Sequence, residues 1–292
     1  MKILVIGSNG FIGKAVCHEL RSDHEVFCAD RSVDADFKID LLEKESIRKV
    51  LTDISPEIII NCAGVVENSE KAILTNPVVT LNLLQVISEL KVRSRKIVLT
   101  GSAGEYGEVM GNEAVKEEVA LRAESFYGRS KILESSVALY FKDVQKLPVV
   151  IARIFNPIGI GMHPRFLLPK IIATVSGTEE GKAGKIEVNR LDARRDYIDV
   201  RDVAGAIKDI AEKKTKHSTY NIGSGISTSN KELIDIIIKE SGLREMPQII
   251  ESSNNPEPHL ADRADIGRIK SDLGWIPKIS LENTVKEIIK NK

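Results

Sequence analysis

Short apolar runs alternate with helix-length amphipathic segments along the first half of the chain. The runs are brief and rich in β-branched residues, as buried strands are, and they lie at residues 3–6, 26–29, 58–60, 97–99 and 149–151. Segments between them, such as residues 11–20 and 78–90, have the length and periodicity of helices. Because parallel strands need crossover connections, this alternation predicts an α/β fold with a doubly wound parallel sheet and helices on both faces.

The alternation loosens after about residue 155, where prolines and glycines become frequent between residues 157 and 169. A helix-length run at residues 166–175 follows without an obvious strand. Ser229 and Glu232 have the spacing of a capping box before residues 233–238, and residues 272–277 form a stop before a last helix. We predict a large domain over residues 1–155, to which the chain returns at about residues 189–222. Residues 156–292 are predicted to form mainly a smaller, interrupted substrate lobe.

Composition and charge exclude several classes of function. The 42 basic residues equal the 42 acidic residues, so no net charge favours nucleic acid or anionic lipid. The three cysteines lie far apart without a CxxC pair, and the five histidines lack metal-ligand spacing, so neither a disulfide framework nor a metal site is indicated. The apolar stretch before Gly7 is too short for a signal peptide, and no run approaches a membrane span. We therefore expect a cytoplasmic protein without nucleic-acid, membrane or metal partners.

A glycine-rich turn lies directly between the first predicted strand and the first predicted helix. It comprises Gly7, Asn9, Gly10, Phe11, Ile12 and Gly13. Small residues let the backbone approach a pyrophosphate, and the helix N-terminus offers unpaired N–H groups. This placement makes the predicted sheet Rossmann-like and indicates a dinucleotide site.

The next predicted strand ends at Asp30, where a carboxylate can accept hydrogen bonds from an adenosine ribose. Asp30 would repel a 2′-phosphate and therefore favours NAD. Arg31 follows it and would instead attract that phosphate. We favour NAD and leave NADP open.

A candidate reacting centre comes from Ser102, Tyr127 and Lys131. The last two lie four residues apart, so a helix places them on one face. A tyrosine hydroxyl has a reference pKa near 10, and a nearby ammonium and an oxidised nicotinamide both favour its phenolate form. Ser102 follows a predicted strand, so it should lie at the carboxyl edge of the sheet, where its hydroxyl can hold a substrate oxygen.

Together these residues resemble the extended short-chain dehydrogenases/reductases, the NAD-dependent epimerase/dehydratase family. The resemblance spans nearly the whole chain. It rests on Gly7-x-x-Gly10-x-x-Gly13, Asp40-Leu41, Asn61-Cys62-Ala63-Gly64, residues 76–84 and 102–107, Tyr127-x-x-x-Lys131, residues 153–157, residues 195–203, Tyr220-Asn221-Ile222-Gly223 and Asp272-Leu273-Gly274-Trp275. Within the family, residues 164–169 and 191–196 are most similar to GDP-4-dehydro-6-deoxy-D-mannose reductases.

The resemblance implies a role for each matching position. Asp40 and Leu41 are expected to flank the adenine, and Ala63 and Gly64 to line the nicotinamide half of the cofactor with Cys62 beside them. Tyr127 and Lys131 are expected to contact the cofactor as well as to carry catalysis. A nucleotide-diphosphate sugar is the expected partner, and the lobe over residues 156–292 is expected to bind it. The sugar nucleotide is expected to contact Ser102, Ala103, Asn156, Arg195 and Arg263.

The reaction within this family stays open. A reductase acting at C4 of a 4-keto-6-deoxy sugar is favoured, and a C4 epimerase is the alternative. A 4,6-dehydratase is disfavoured because Ala103 and Gly104 stand where dehydratases carry acidic residues, with Glu105 one place too late. A cofactor-binding protein without turnover would not require the Ser102, Tyr127 and Lys131 set. By analogy with relatives, residues 78–90 and 132–140 are expected to pair across the two-fold axis of a homodimer.

Overall fold

A parallel sheet forms the centre of the molecule. The computed structural model describes residues 1–32, 34–109, 113–176, 185–242, 247–251 and 263–291. Within these residues, seven parallel strands form one sheet. In spatial order they are β11 (Thr219–Ile222), β6 (Val149–Ile154), β5 (Lys96–Ser102), β4 (Ile58–Asn61), β1 (Lys2–Ile6), β2 (Glu25–Asp30) and β3 (Phe37–Lys38).

The strand order reverses between β1 and β4. From β1 the chain proceeds outward to β2 and β3, and it then returns to β4 on the other side and proceeds to β5 and β6. The carboxyl ends of the strands leave a crevice at this point, which is where open α/β sheets bind ligands. The predicted Rossmann-like doubly wound fold is confirmed.

Two hydrophobic cores cover the two faces of the sheet, because successive strand residues point to opposite sides. Ile3 and Val5 of β1 belong to one core, together with residues of α1 (Phe11–Leu20) and α6 (Val200–Glu212). Leu4 and Ile6 belong to the other, together with residues of α2 (Lys44–Ile54), α3 (Glu70–Glu89) and α4 (Phe126–Asp143).

A third hydrophobic core lies in the C-terminal half. It packs residues of α5 (Leu167–Ser176), α7 (Asn230–Ser241) and α9 (Leu281–Lys290) against β7 (Asn156–Ile158) and β8 (Lys185–Val188). Short strand pairs complete this half: β10 (Tyr197–Asp199) with β7, β12 (Thr228–Ser229) with β9 (Arg194–Arg195), and β13 (Gln248–Glu251) with β8. The helix α8 (Gly267–Leu273) contacts β11. The domain boundary near residue 155 stays a prediction.

The predicted elements agree with the structure except at one helix start. α1 spans the predicted residues, and the Ser229–Glu232 capping box forms at the start of α7. The second predicted helix, however, begins at Glu70 and not at residue 78, because α3 continues through Pro77. Proline lacks an N–H and usually ends a helix. Here the preceding turns are held by burial of Ala72 and Asn76. Among the described residues, no helix is both long enough and apolar enough to cross a membrane.

Candidate functional site

The glycine turn brings three backbone segments into contact. Gly7 has a φ of +75°, a left-handed conformation that favours glycine, and a Cβ there would lie 2.6 Å from the backbone nitrogen of Ala63. A Cβ on Gly13 would lie 2.0 Å from the carbonyl oxygen of Gly7. The end of β1, the loop after β4 and the start of α1 therefore approach one another as closely as only glycine permits.

A groove extends from this turn along the carboxyl ends of β1, β2 and β4. Gly10 is the N-cap of α1 and has no side chain to occupy the helix N-terminus, which leaves its N–H groups facing outward. The groove is lined by Ile6, Gly7, Gly10, Asp30, Arg31, Ile39, Asp40, Leu41, Leu42, Cys62, Ala63, Gly64, Val65, Thr75, Asn76 and Val79. Most of the predicted cofactor residues thus lie in one continuous groove.

Asp30 ties the glycine turn to the end of β2. Its Oδ2 accepts a hydrogen bond from the backbone N–H of Asn9 at 3.1 Å, and its Oδ1 accepts one from the N–H of Ser32 at 3.2 Å. Arg31 lines the groove beside it. The two opposing side chains that left the choice of cofactor open are therefore both at the site.

Three predicted cofactor residues have structural contacts behind the groove. The ring of Phe11 lies under Gly159, where a Cβ would be 3.6 Å from the Phe11 Cζ. Ile12 packs against the core that includes α1 and α6, and Gly13 packs against the Gly7 backbone. Their contribution to cofactor binding stays a prediction.

Gly104 and Gly128 allow the Ser102 turn and the Tyr127 ring to lie close together. Ser102 ends β5 and caps a short 3-10 helix, Ala103–Glu105, where its Oγ accepts a hydrogen bond from the Gly104 N–H at 3.1 Å. A Cβ on Gly104 would lie 3.3 Å from the Ser102 Oγ and 3.8 Å from the Tyr127 ring. A Cβ on Gly128 would lie 2.4 Å from the Gly104 carbonyl oxygen, so α4 packs directly on this turn.

Lys131 lies one helical turn beyond Tyr127 and is buried. Its Nζ donates to the Thr100 carbonyl oxygen and to Oε2 of Glu134, both at 2.6 Å. Burial lowers the pKa of Lys131, but Glu134 and Tyr127 raise it by more, so the net shift is upward and the side chain is an ammonium. α4 carries Tyr127 and Lys131 four residues apart, which places them on one helix face, and their catalytic role stays a prediction.

Glu105, which the sequence places near the site, is withdrawn from it. The carboxylate is completely buried and accepts hydrogen bonds from Arg153 at 2.9 Å, Ser135 Oγ at 2.7 Å and the Ser102 N–H at 2.8 Å. With Ala103 and Gly104 in the preceding positions, the turn after Ser102 offers the site no carboxylate.

Asp196 connects the segments that carry the predicted sugar-nucleotide contacts. Its carbonyl oxygen accepts a hydrogen bond from Asn156 Nδ2 at 3.1 Å, and Arg195 precedes it in the chain. Its carboxylate accepts one from the N–H of Ala264 at 2.9 Å, which is the residue after Arg263. Burial raises the pKa of Asp196, although hydrogen bonds from Ala264, Ser224 and Gly225 to its carboxylate offset part of the effect. The structure therefore brings the backbone segments that carry Asn156, Arg195 and Arg263 together at Asp196.

Sequence reasoning assigned no role to Asn76, Glu134 or Asp196, although Asn76 and Asp196 lie in stretches that carry the family resemblance. Asn76 lies in α3 and holds the groove loop to α4: its side chain accepts from the Val65 N–H and donates to the Val65 carbonyl and to Ser130 Oγ. The signal for Glu134 was available, since it follows Lys131 by three residues, which is one helical turn. Local sequence does not reveal the contacts of Asn76 or Asp196, because their partners Ser130 and Ala264 are distant in the chain.

Cys62 lines the groove as a neutral thiol. Burial raises its pKa to about 12. It therefore contributes a small apolar surface near Ala63 and not a nucleophile.

Comparison with known proteins assigns the chain to a family. Residues 3–223, well over half of the chain, match the NAD dependent epimerase/dehydratase family. The chain belongs to this family. The matched region includes the glycine turn, the groove, Ser102, Tyr127 and Lys131, so the dinucleotide that the groove fits is NAD(P) and the protein is an enzyme of the epimerase/dehydratase class.

Similar proteins act on sugar nucleotides, as their names state. The chain is 29% identical over 245 residues to GDP-6-deoxy-D-talose 4-dehydrogenase of Aggregatibacter actinomycetemcomitans, covering 82% of this chain and 80% of that protein. It is 26% identical over 299 residues to GDP-6-deoxy-D-mannose reductase of Pseudomonas aeruginosa, covering 99% and 96%. The crystal structure of Thermus thermophilus UDP-glucose 4-epimerase in complex with NAD superposes with a TM-score of 0.84 at 22% identity, covering 99% and 98%, and shows the shared fold.

Proposed function

We propose that this enzyme reduces the C4 carbonyl of a nucleotide-linked 4-keto-6-deoxy sugar with NAD(P)H. The observation that carries the proposal is that Ser102, at the carboxyl end of β5, and Tyr127, in the first turn of α4, both lie close to Gly104. β5 pairs with β4, and the loop after β4 lines the dinucleotide groove. The similarity to two enzymes named for C4 chemistry on GDP-6-deoxy sugars supports the choice of substrate.

The groove fits a dinucleotide by shape and by charge. Gly7 and Gly10 line the groove without side chains that would obstruct a pyrophosphate, and the N-terminus of α1 offers N–H groups to it. Asp30 and Asp40 lie further along the groove, where a ribose and the adenine are expected. When bound, the nicotinamide supplies the hydride that C4 receives.

Tyr127 would donate its phenolic proton to the C4 oxygen as that oxygen gains negative charge. The Ser102 Oγ already accepts a bond from the Gly104 N–H, so its own hydrogen is available to donate to the same substrate oxygen. The Lys131 ammonium, one turn along α4, stabilises the phenolate that remains on Tyr127. The carbonyl thus gains one hydride and one proton, and NAD(P)H becomes NAD(P)⁺.

The sugar nucleotide would lie between this centre and the segments around Asp196. Arg195 and Arg263 each carry a planar guanidinium suited to a diphosphate, and Asn156 donates a hydrogen bond to the backbone of Asp196, the residue after Arg195. Residues of this lobe would select the nucleotide base. We favour a GDP sugar because both named enzymes act on one.

A C4 epimerase is the second candidate, favoured by the fold shared with UDP-glucose 4-epimerase. The same Ser102, Tyr127 and Lys131 would then remove and return the C4 hydrogen on opposite faces of the sugar. A 4,6-dehydratase is disfavoured because Glu105 is buried against Arg153 and does not face the site. A protein without turnover is disfavoured by the juxtaposition of Ser102 and Tyr127.

We also propose that two copies associate through α3 and α4. α3 exposes Leu74, Val78 and Leu81, spaced four and three residues apart, and Leu74 retains 71% of its surface. α4 exposes Leu133 and Tyr140, two helical turns apart. Because α3 and α4 pack against each other, we propose that the two stripes join in one apolar surface. A second copy rotated by a two-fold axis would cover it with the identical surface, as the isologous contact of a dimer requires.

The test of the reductase is a spectrophotometric assay with purified protein. It combines NADH or NADPH with 4-keto-6-deoxy sugars linked to GDP, dTDP or UDP, and it follows the loss of reduced nicotinamide. We expect stoichiometric oxidation with at least the GDP-linked ketone and a C4 alcohol in the product NMR spectrum. The Tyr127→Phe variant is the control for the proposed centre.

Two results would contradict the reductase. If none of the ketones oxidises either cofactor, C4 ketoreduction is wrong. If UDP- or GDP-hexoses instead change configuration at C4 without net consumption of cofactor, the epimerase replaces it.

A further inference from the structure

A buried carboxylate stands directly behind the proposed acid/base pair. Oε2 of Glu134 accepts a hydrogen bond from Nζ of Lys131 at 2.6 Å, one helical turn along α4. Lys131 is 5% exposed and Glu134 is 7% exposed. A short charge-assisted bond that is shielded from water fixes the position of both groups far better than an exposed ion pair does.

The surroundings of Glu134 favour a proton on it near neutral pH. Burial raises the pKa of Glu134 to about 7. The ammonium of Lys131 and the hydroxyl of Thr80 on α3 lower it, and the carboxylate of Glu105 on the 3-10 helix raises it.

Other groups face the same ammonium from neighbouring elements. Nζ of Lys131 also donates to the Thr100 carbonyl of β5. The Cys62 thiol after β4 and the Tyr127 phenol of α4 both interact with it electrostatically. Glu134 and Tyr127 therefore compete for the positive charge of one lysine.

We propose that Glu134 is a positioning residue: it holds the Lys131 ammonium against β5 and sets how much of its charge acts on Tyr127. The inference rests on the proposed role of Tyr127 as the proton donor at C4. When Glu134 is ionised, its charge offsets that of Lys131, and the Tyr127 phenolate is less favoured. When Glu134 binds a proton, the ammonium acts on Tyr127 without that offset.

The sign of the effect follows from charge alone. Replacing Glu134 with glutamine retains an oxygen acceptor for Nζ but removes the negative charge. The phenolate of Tyr127 is then favoured, so the midpoint of the Tyr127 titration moves to lower pH. An aspartate at the same position keeps the charge, and its midpoint should stay close to that of the wild type.

The experiment titrates side chains by NMR and needs no turnover. Protein carrying ¹³C at the tyrosine Cζ and at the glutamate carboxyl is titrated as wild type, Glu134→Gln and Glu134→Asp, and Tyr127→Phe assigns the tyrosine signal. We expect one wild-type glutamate signal to titrate near pH 7 and to vanish in Glu134→Gln. The Tyr127 midpoint should fall in that variant alone. Glu282→Gln, an exposed carboxylate on α9, makes the same change in net charge and should leave the midpoint unchanged.

Two results would overturn the inference: a Tyr127 midpoint equal in wild type and Glu134→Gln, or a Glu134 signal that titrates with the ordinary carboxyls. If Glu134→Gln does not fold, Lys131→Gln provides the second measurement. Loss of the ammonium should move the Glu134 titration to higher pH, and an unmoved titration would reject the pairing. Because no substrate is involved, failure of the ketone assay counts against the proposed function and not against this inference.

Discussion

Arg153 of β6 donates a hydrogen bond at 2.9 Å to Glu105, the last residue of the turn that follows Ser102. Glu105 is 0% exposed and Arg153 is 4% exposed. The same carboxylate accepts the Ser102 N–H and the Ser135 hydroxyl, so one buried ion pair fixes β5, β6 and α4 to one another. The Ser102 turn is thus anchored from inside the molecule.

Replacing Glu105 with alanine should destabilise the protein strongly. The change leaves the Arg153 guanidinium buried without its counterion, and breaking a buried pair in this way costs about 3–5 kcal/mol. Urea unfolding measures the free energy of unfolding. The control is Glu89→Ala, which breaks the exposed ion pair with Arg48 and should have little effect. Equal losses in the two variants would show that the buried pair does not anchor the turn.

Removal of the Tyr127 hydroxyl should abolish most turnover but not cofactor binding. Tyr127→Phe keeps the ring that packs against Gly104 and removes only the proton donor. General acid catalysis contributes roughly 10²- to 10⁴-fold, so kcat should fall by about that factor. Steady-state kinetics gives kcat, and NADH fluorescence gives the cofactor Kd, which should stay within a few-fold of the wild type. A variant with wild-type kcat would remove Tyr127 from the mechanism.

Alanine should have opposite effects at Gly13, in the glycine turn, and at Gly205, in α6. A Cβ on Gly13 would lie 2.0 Å from the Gly7 carbonyl oxygen, so Gly13→Ala forces backbone to move and should cost about 1–3 kcal/mol of stability. It should also weaken NAD binding, because the turn shapes the groove. Gly205 lies inside α6, and a Cβ there would be 3.9 Å from the Trp275 indole nitrogen. Gly205→Ala should therefore be neutral or stabilise the protein by up to about 1 kcal/mol. Thermal unfolding and NAD titration of both variants check the contrast, which a similar response at the two sites would refute.

The charge of Asp30 should set the choice between NAD and NADP. Asp30→Asn removes the negative charge that would repel a 2′-phosphate while Arg31 remains in place to attract it. The ratio of kcat/KM for NADPH over NADH should rise by roughly tenfold, equivalent to about 1.4 kcal/mol. Asp40→Asn, on the same groove, is the matched control and should leave the ratio unchanged. If the NADPH/NADH ratio changes only in the Asp40 variant, the adenosine ribose does not lie beside Asp30.

A charge on the apolar surface of α3 and α4 should prevent association. Leu81→Glu places a carboxylate on that surface, where a second copy would have to desolvate it. Size-exclusion chromatography with light scattering should give a dimer for the wild type and a monomer for the variant. Ile226→Glu, which alters an exposed residue in the loop before β12, is the control and should remain a dimer. A monomeric wild type would exclude the proposed contact.

Several structural features could be predicted from the sequence because they depend on residues that are close together along the chain. The alternation of β-branched runs with amphipathic segments predicted the doubly wound sheet, and the Gly7–Gly13 turn predicted the groove that the structure contains. Four-residue spacing placed Tyr127 and Lys131 on one face of α4. The start of α3 was predicted too late because proline interrupts helices locally, whereas burial of Asn76 keeps this helix intact.

Local sequence was enough to specify five strands of the central sheet, the glycine turn and the candidate acid/base pair, since strand, turn and helix preferences act over a few residues. Only the folded chain reveals that Glu105 is withdrawn to Arg153, that Asp196 gathers the Arg195 and Arg263 segments, and that Glu134 shares its partner Lys131 with Tyr127. The role of each of these carboxylates depends on how deeply it is buried and on which cation or N–H it meets. Packing of distant segments sets both conditions.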